Sequence, residues 1–101
     1  MTSSEQLRRE NEVTLNAVQA LLGLISSDVI AVAVRTERDR VTLTFWVRRH
    51  TPEVDEDIDD AVFELDALFS EEHPLIEATV REGAPDPTTP AAYGRMIYWA
   101  K

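Results

Sequence analysis

The 101-residue chain contains no cysteine and only two histidines. The missing cysteines exclude a disulfide framework, a thiolate nucleophile and a thiolate metal site, and they fit a reducing compartment. The histidines, His50 and His73, stand singly at the two ends of a predicted helix, so they do not form a pair of metal ligands. We therefore expect a protein that needs no metal and no cofactor.

Long apolar runs are also missing. No run approaches the roughly 20 apolar residues that a membrane-spanning helix needs. The N-terminal stretch MTSSEQLRRENE lacks the apolar core of a signal peptide. We expect a cytoplasmic protein that makes no contact with a membrane.

Sequence signatures of catalysis are absent as well. The three glycines form no phosphate-binding loop, and no serine, histidine and aspartate stand in the context of a known nucleophile. The stretch DEDIDD places Asp55, Asp57 and Asp59 like the first ligands of a calcium loop. The sixth position is then Asp60 instead of glycine, which argues against such a loop. An enzyme is not expected, and a small enzyme or small-molecule binder remains a minor alternative.

The acidic side chains are concentrated in one segment, TPEVDEDIDDAVFELDALFSEE, at positions 51–72. The segment holds ten of the 19 acids and no lysine or arginine, whereas the rest of the chain carries nine acids and ten bases. The net charge of −9 therefore belongs to this segment alone. Such a surface repels nucleic acid and attracts a basic protein, which we expect as the partner. The alternative is an acidic face that is merely solvated.

The hydrophobic pattern predicts a single domain, 1–101, with the element order α-β-β-α-β-β. Ser3 or Ser4 is the expected N-cap of the first helix. The predicted buried face of this helix consists of Leu7, Leu15, Val18, Leu21, Leu22 and Ile25. The predicted strands cover 29–36, 41–47, 75–82 and 95–101. We expect an α+β two-layer sandwich, with a four-stranded antiparallel sheet and both helices on one face.

The acidic segment itself predicts the second helix. Thr51 is the expected N-cap, and Pro52 suits the first helical position because its missing N–H is not needed there. Apolar residues recur at helical spacing and predict a buried stripe, which consists of Val54, Ile58, Ala61, Val62, Leu65 and Phe69.

The helix dipole accounts for the first-turn acids Glu53, Asp55 and Glu56. It does not account for the later acids, which are Asp59, Asp60, Glu64 and Asp66. Like charges four residues apart, such as Asp60 and Glu64, each cost roughly 0.2–0.5 kcal/mol. Phe63 falls on the outer face of this helix, away from the buried stripe. An exposed aromatic ring among charges is typical of an interface. The predicted partner-binding residues are therefore Glu56, Asp59, Asp60, Phe63 and Asp66. The alternative is that Phe63 folds over the edge of the sheet or under the proline-rich loop at 83–94.

Trp46 is a second candidate. Strand alternation places it on the face of the sheet away from the helices, where it could form an exposed apolar patch with Tyr98 or Trp99. Such a patch would suit self-association or a secondary partner. The alternative is that the proline-rich loop covers this face.

Several short motifs occur in an order that resembles a known group of proteins. QALLGLIS ends the first helix, IAVAVRTERDRVTLTFWVRR forms the strand pair, TPEVDEDIDDAVFELDALF forms the acidic helix, and RMIYWAK closes the chain. The chain resembles the small bacterial immunity proteins encoded beside polymorphic or contact-dependent growth inhibition toxins. The resemblance implies an antitoxin that binds a toxin domain, often a nuclease, and blocks its basic groove. The alternative function is a homodimeric structural or regulatory domain that associates through the sheet face.

Overall fold

The computed structural model describes residues 2–21, 27–69, 74–85 and 93–100. The elements follow one another as α1 (Thr2–Leu21), β1 (Val29–Thr36), β2 (Arg40–Val47), α2 (Pro52–Leu68), β3 (Leu75–Glu82) and β4 (Arg95–Trp99). Two helices, four strands and the α+β class are confirmed. The predicted N-cap at Ser3 or Ser4 is wrong, because α1 already begins at Thr2. No described helix combines the length and the apolar content needed to cross a membrane.

The predicted all-antiparallel sheet is wrong, because one strand pair is parallel. The strands lie in the order β3-β2-β1-β4. β1 pairs antiparallel with β2 and with β4, whereas β2 and β3 run in the same direction. The reason is that α2 connects β2 to β3: the helix carries the chain back to the end where β2 began, so β3 starts there too.

One face of the sheet and both helices enclose the main core. The alternation predicted for β2 is confirmed: Val41, Leu43, Phe45 and Val47 all face this core. Val32 and Val34 of β1 join them, together with the buried residues of α1 and α2. Both helices therefore pack on the same face of the sheet.

α2 buries the stripe that its sequence predicts. Val54, Ile58, Ala61 and Leu65 are buried, and Val62 and Phe69 pack against the same core. The N-cap is confirmed as well, because the Val54 N–H donates to the Oγ1 of Thr51 at 3.2 Å. Pro52 occupies the first turn.

The predicted buried face of α1 is mostly wrong, although the burial predicted for Leu21 is confirmed. The buried residues of the helix are Val13, Ala17, Ala20 and Leu21. Leu7, Leu15 and Val18, three of the predicted core residues, are exposed, and positions 22–26, which include Leu22 and Ile25, lie outside the described residues. Two alanines at the contact let the helix approach the rest of the core closely, since the distance between packed elements depends on the side chains between them.

Gly94, directly before β4, allows the backbone to approach β1 closely. Its φ is 99°, and a Cβ at this position would lie 2.2 Å from the carbonyl oxygen of Val34. Only glycine tolerates both the backbone conformation and the close approach. The residue before it, Tyr93, is thereby held beside the sheet.

Candidate functional site: an acidic groove between α2 and β3

The outer face of α2 carries a large exposed aromatic side chain. Phe63 is 72% exposed, the highest value among the large apolar residues that are described as exposed. It is therefore not buried under the sheet edge or under any other described element. Because α2 starts with a well-formed cap and buries its opposite stripe, the orientation of Phe63 is fixed by the fold.

Beside Phe63 lies a shallow groove of about 550 Å³ between α2 and the start of β3. We call it the acidic groove, and its lining residues are Asp59, Val62, Phe63, Asp66, Pro74, Leu75 and Ile76. Apolar side chains form most of the lining, and Leu75 is 57% exposed. The two aspartates supply its negative charge.

The acidic groove brings together three of the five predicted partner-binding residues: Asp59, Phe63 and Asp66. Glu56 and Asp60 do not line it. Helical spacing places Asp60 on the other flank of Phe63 and Glu56 two turns toward the N-terminus on the same side of the helix. All five residues are exposed, as the sequence predicts.

Sequence reasoning missed the part of the groove that β3 contributes. Pro74, Leu75 and Ile76 come from the other side of the groove, and their position next to α2 follows from the parallel pairing of β2 and β3. An antiparallel β3 would present its other end to this part of the helix. Only Leu75 could have indicated this side of the groove from the sequence. It is apolar, although strand alternation places it on the opposite face from Ile76 and Val80.

Three of the carboxylates around Phe63 have no counter-charge among the described residues of the protein. Three ion pairs among described residues involve other acids: Arg40 with Glu77 at 3.3 Å, Arg95 with Glu10 at 3.8 Å and Arg35 with Glu37 at 3.9 Å. Asp55 is hydrogen-bonded to the His50 ring at 2.5 Å. Glu56, Asp59 and Asp60 make no ion pair and no side-chain hydrogen bond within the described ranges. Their charge is available to a partner.

The described residues of this surface do not form a metal site. No three acids, histidines or cysteines are grouped closely enough to hold a metal ion in the part of the chain that the structure describes. Asp55, Asp57 and Asp59 lie on a continuous helix and point in different directions, so they do not form a calcium loop. An apolar floor with an acidic rim suits apolar and basic side chains of another protein.

The predicted exposed patch at Trp46 is wrong, because Trp46 is only 3% exposed. Its indole packs edge-on against the ring of Tyr93, with the ring centroids 5.0 Å apart. The guanidinium of Arg81 lies over the same tyrosine ring, 5.3 Å from its centroid. Trp46 does face away from the helices, as predicted, and it packs with Ala31 and Ala33. Tyr93, the last-but-one residue of the predicted proline-rich loop, provides the cover.

Trp99 is the exposed aromatic residue of this outer sheet face. It is 52% exposed and stands opposite Ala31, which in turn stands opposite Trp46. Tyr98 faces the main core instead, opposite Val32. A role of Trp46 or of the sheet face in binding a partner stays a prediction.

Residues 10–101 match a family model described as MafI2 immunity protein. The match covers nearly the whole chain, including all four strands, α2 and most of α1. No curated protein matches this chain significantly.

Proposed function

Because the chain belongs to the MafI2 immunity protein family, a group of small bacterial immunity proteins of toxin systems, we propose that it binds and neutralises a cognate toxin domain through α2. The binding surface comprises Glu56, Asp59, Asp60, Phe63 and Asp66, extended by the apolar side of the acidic groove. The protein acts by binding and carries out no reaction of its own.

The observation that supports this surface is the combination of the exposed Phe63 with three carboxylates, Glu56, Asp59 and Asp60, that form no ion pair with a described residue. An exposed phenylalanine costs solubility, and neighbouring like charges cost helix stability. Neither feature contributes to the packing of α2, because the helix packs on the core through its buried stripe on the opposite side. A partner that buries Phe63 and neutralises the carboxylates would account for both features.

The proposed mechanism is electrostatically steered occlusion. A nuclease toxin must hold a phosphate backbone with basic side chains, so its active-site groove attracts an acidic protein surface. The carboxylates of α2 would raise the association rate with such a groove, and the burial of Phe63 would slow dissociation. The bound immunity protein would then exclude the nucleic acid by occupying its place.

The experiment compares two exposed apolar residues on different helices. Phe63 is 72% exposed on α2 and Leu15 is 68% exposed on α1, so neither contributes much to the core. The partner in this experiment is the purified cognate toxin domain, to be sought among the genes that neighbour this one. Phe63→Ala should weaken binding about 30-fold or more, mainly through faster dissociation, because a buried aromatic anchor contributes roughly 2 kcal/mol or more. Leu15→Ala should bind like the unchanged protein.

The thermal midpoints of both variants serve as the control for folding, and both should stay close to that of the unchanged protein. The proposed surface is wrong if Leu15→Ala weakens binding and Phe63→Ala does not. The proposed function itself is wrong if the unchanged protein neither binds the toxin domain nor suppresses its activity.

A further inference from the structure

The two edges of the sheet differ in how well they are protected from pairing with a further strand. β4, at one edge, has five residues and a register shift where it pairs with β1. β3, at the other edge, pairs with β2 without interruption from Leu75 to Glu82. No described strand lies on its second side.

β3 carries three exposed charges, Glu77, Arg81 and Glu82, but it has none of the devices that block backbone pairing along an edge strand. Its sequence, LIEATVRE, contains no proline and no lysine, and its pairing shows no bulge. Ala78 and Thr79 in the middle of the strand are exposed and carry no charge. Backbone N–H and C=O groups along a regular edge strand can therefore accept another strand.

The acidic groove opens beside this free edge. Leu75 and Ile76 belong both to the groove and to the start of β3, and Pro74 precedes them, while Asp59 and Asp66 line the groove from α2. A strand added to β3 would alternate its side chains between the helix side and the opposite face of the sheet. Those on the helix side would reach the acidic groove.

We propose that the toxin domain adds an extended segment to the free edge of β3 and places basic and apolar side chains of that segment in the acidic groove. This inference rests on the proposed function and specifies how the partner binds. Backbone hydrogen bonds to β3 would fix the position of the segment, and Asp59 and Asp66 would select its basic side chains.

Charge favours a basic partner over a second copy of this chain at the same edge. Two copies paired through β3 about a twofold axis perpendicular to the sheet would bring their α2 helices side by side. Each α2 carries eight acids and no lysine or arginine, so the two helices would repel each other. A strand with basic side chains meets attraction at the same position.

The test uses proline substitutions at two neighbouring positions, Ala78→Pro and Thr79→Pro. In a parallel edge strand the N–H groups of successive residues point alternately toward the paired strand and toward the free edge. One proline therefore removes a bond to β2 and destabilises the fold, whereas the other removes a donor from the free edge and leaves the fold intact. Ala78→Ser and Thr79→Ser keep both N–H groups and are the matched controls.

The stable proline variant should bind the toxin domain at least about tenfold more weakly, while both serine variants bind normally. Hydrogen exchange gives an independent measurement on the unchanged protein. Alternate amides of β3 should exchange quickly in the free protein and become protected in the complex. This readout remains decisive if both proline variants fail to fold.

Normal binding by the stable proline variant, or β3 amides that stay unprotected in the complex, would overturn the inference while leaving the proposed function in place. A free protein that is dimeric, and that becomes monomeric in the stable proline variant, would show that a second copy occupies the edge. A chain that binds no toxin domain at all would instead contradict the proposed function.

Discussion

The two helices lie on the same face of the sheet, but they bury different kinds of surface. α2 buries Val54, Ile58, Ala61 and Leu65, its most regular apolar stripe. α1 buries Val13, Ala17, Ala20 and Leu21 and leaves Leu7, Leu15 and Val18 exposed. Three of the larger apolar residues of α1 are therefore exposed. Ala17 and Ala20 occupy part of the buried contact, where small side chains permit a close approach of packed elements.

The helices also differ in the charge around their exposed apolar residues. Arg8 and Glu12, of opposite sign, flank the exposed residues of α1. Phe63 on α2 is flanked by acids alone. Both helices thus expose apolar side chains, but only on α2 are the charges around them all negative. That difference, and the groove that β3 adds to it, distinguishes the proposed binding face.

The largest expected effect concerns the buried stripe of α2. Leu65 is fully buried, so Leu65→Ala should lower the free energy of unfolding by about 2–5 kcal/mol, because it removes buried methyl groups and leaves a cavity. Urea unfolding measures the change. Phe63→Ala, two residues away on the exposed face, should change stability by no more than about 0.5 kcal/mol. Equal losses in the two variants would show that Phe63 belongs to the core.

The next effect tests which face α1 buries. Ala17 is buried at the contact of α1 with the core, so Ala17→Leu should destabilise the protein by about 1–3 kcal/mol through overpacking. Leu15→Gln on the exposed side should stay within about 0.5 kcal/mol. The opposite result, with Leu15→Gln the more damaging, would mean that α1 packs on the face that hydrophobicity alone predicts.

A smaller effect is expected at the start of α2. Thr51→Ala removes the hydroxyl oxygen that accepts from the Val54 N–H, and it should cost about 1 kcal/mol. Thr51→Ser keeps the acceptor and should lose much less. Thermal or urea unfolding of the three proteins measures both changes. If alanine and serine behave alike, the cap does not stabilise the helix that presents the acidic face.

The sequence predicts elements well where local patterns determine them. β1 and β3 have the predicted bounds, β2 begins one residue earlier, and the cap and buried stripe of α2 are confirmed. These features depend on the alternation of side chains and on turn chemistry within a few residues. The exposure of Phe63 follows from the same helical period.

Features that depend on how distant elements meet were predicted less well. The direction of β3 depends on the path of α2 across the sheet, and the buried face of α1 depends on what fits against the core. Trp46 is covered by Tyr93, which is 47 positions away in the chain. For the same reason the β3 side of the acidic groove could not be predicted, since it results from the parallel pairing.

The smallest expected effect on stability distinguishes acids of α2 that serve partner binding from acids that stabilise the helix. Asp60 lies four residues from both Glu56 and Glu64, and it has no ion pair within the described ranges. Asp60→Asn should therefore leave the protein as stable or more stable by some tenths of a kcal/mol, since it relieves two like-charge contacts. It should also slow association with the toxin domain and flatten its dependence on salt, because rim charges act mainly on the association rate.

Asp55→Asn is the matched control on the same helix. Asp55 lies in the first turn, where its charge is favourable to the helix dipole, and it pairs with His50. Its loss should lower stability slightly, the opposite sign to Asp60→Asn. Stopped-flow association at several salt concentrations, together with urea unfolding, measures both quantities. If Asp60→Asn lowers stability and leaves the association rate unchanged, the outer acids of α2 serve the fold and the functional contrast between the two helices disappears.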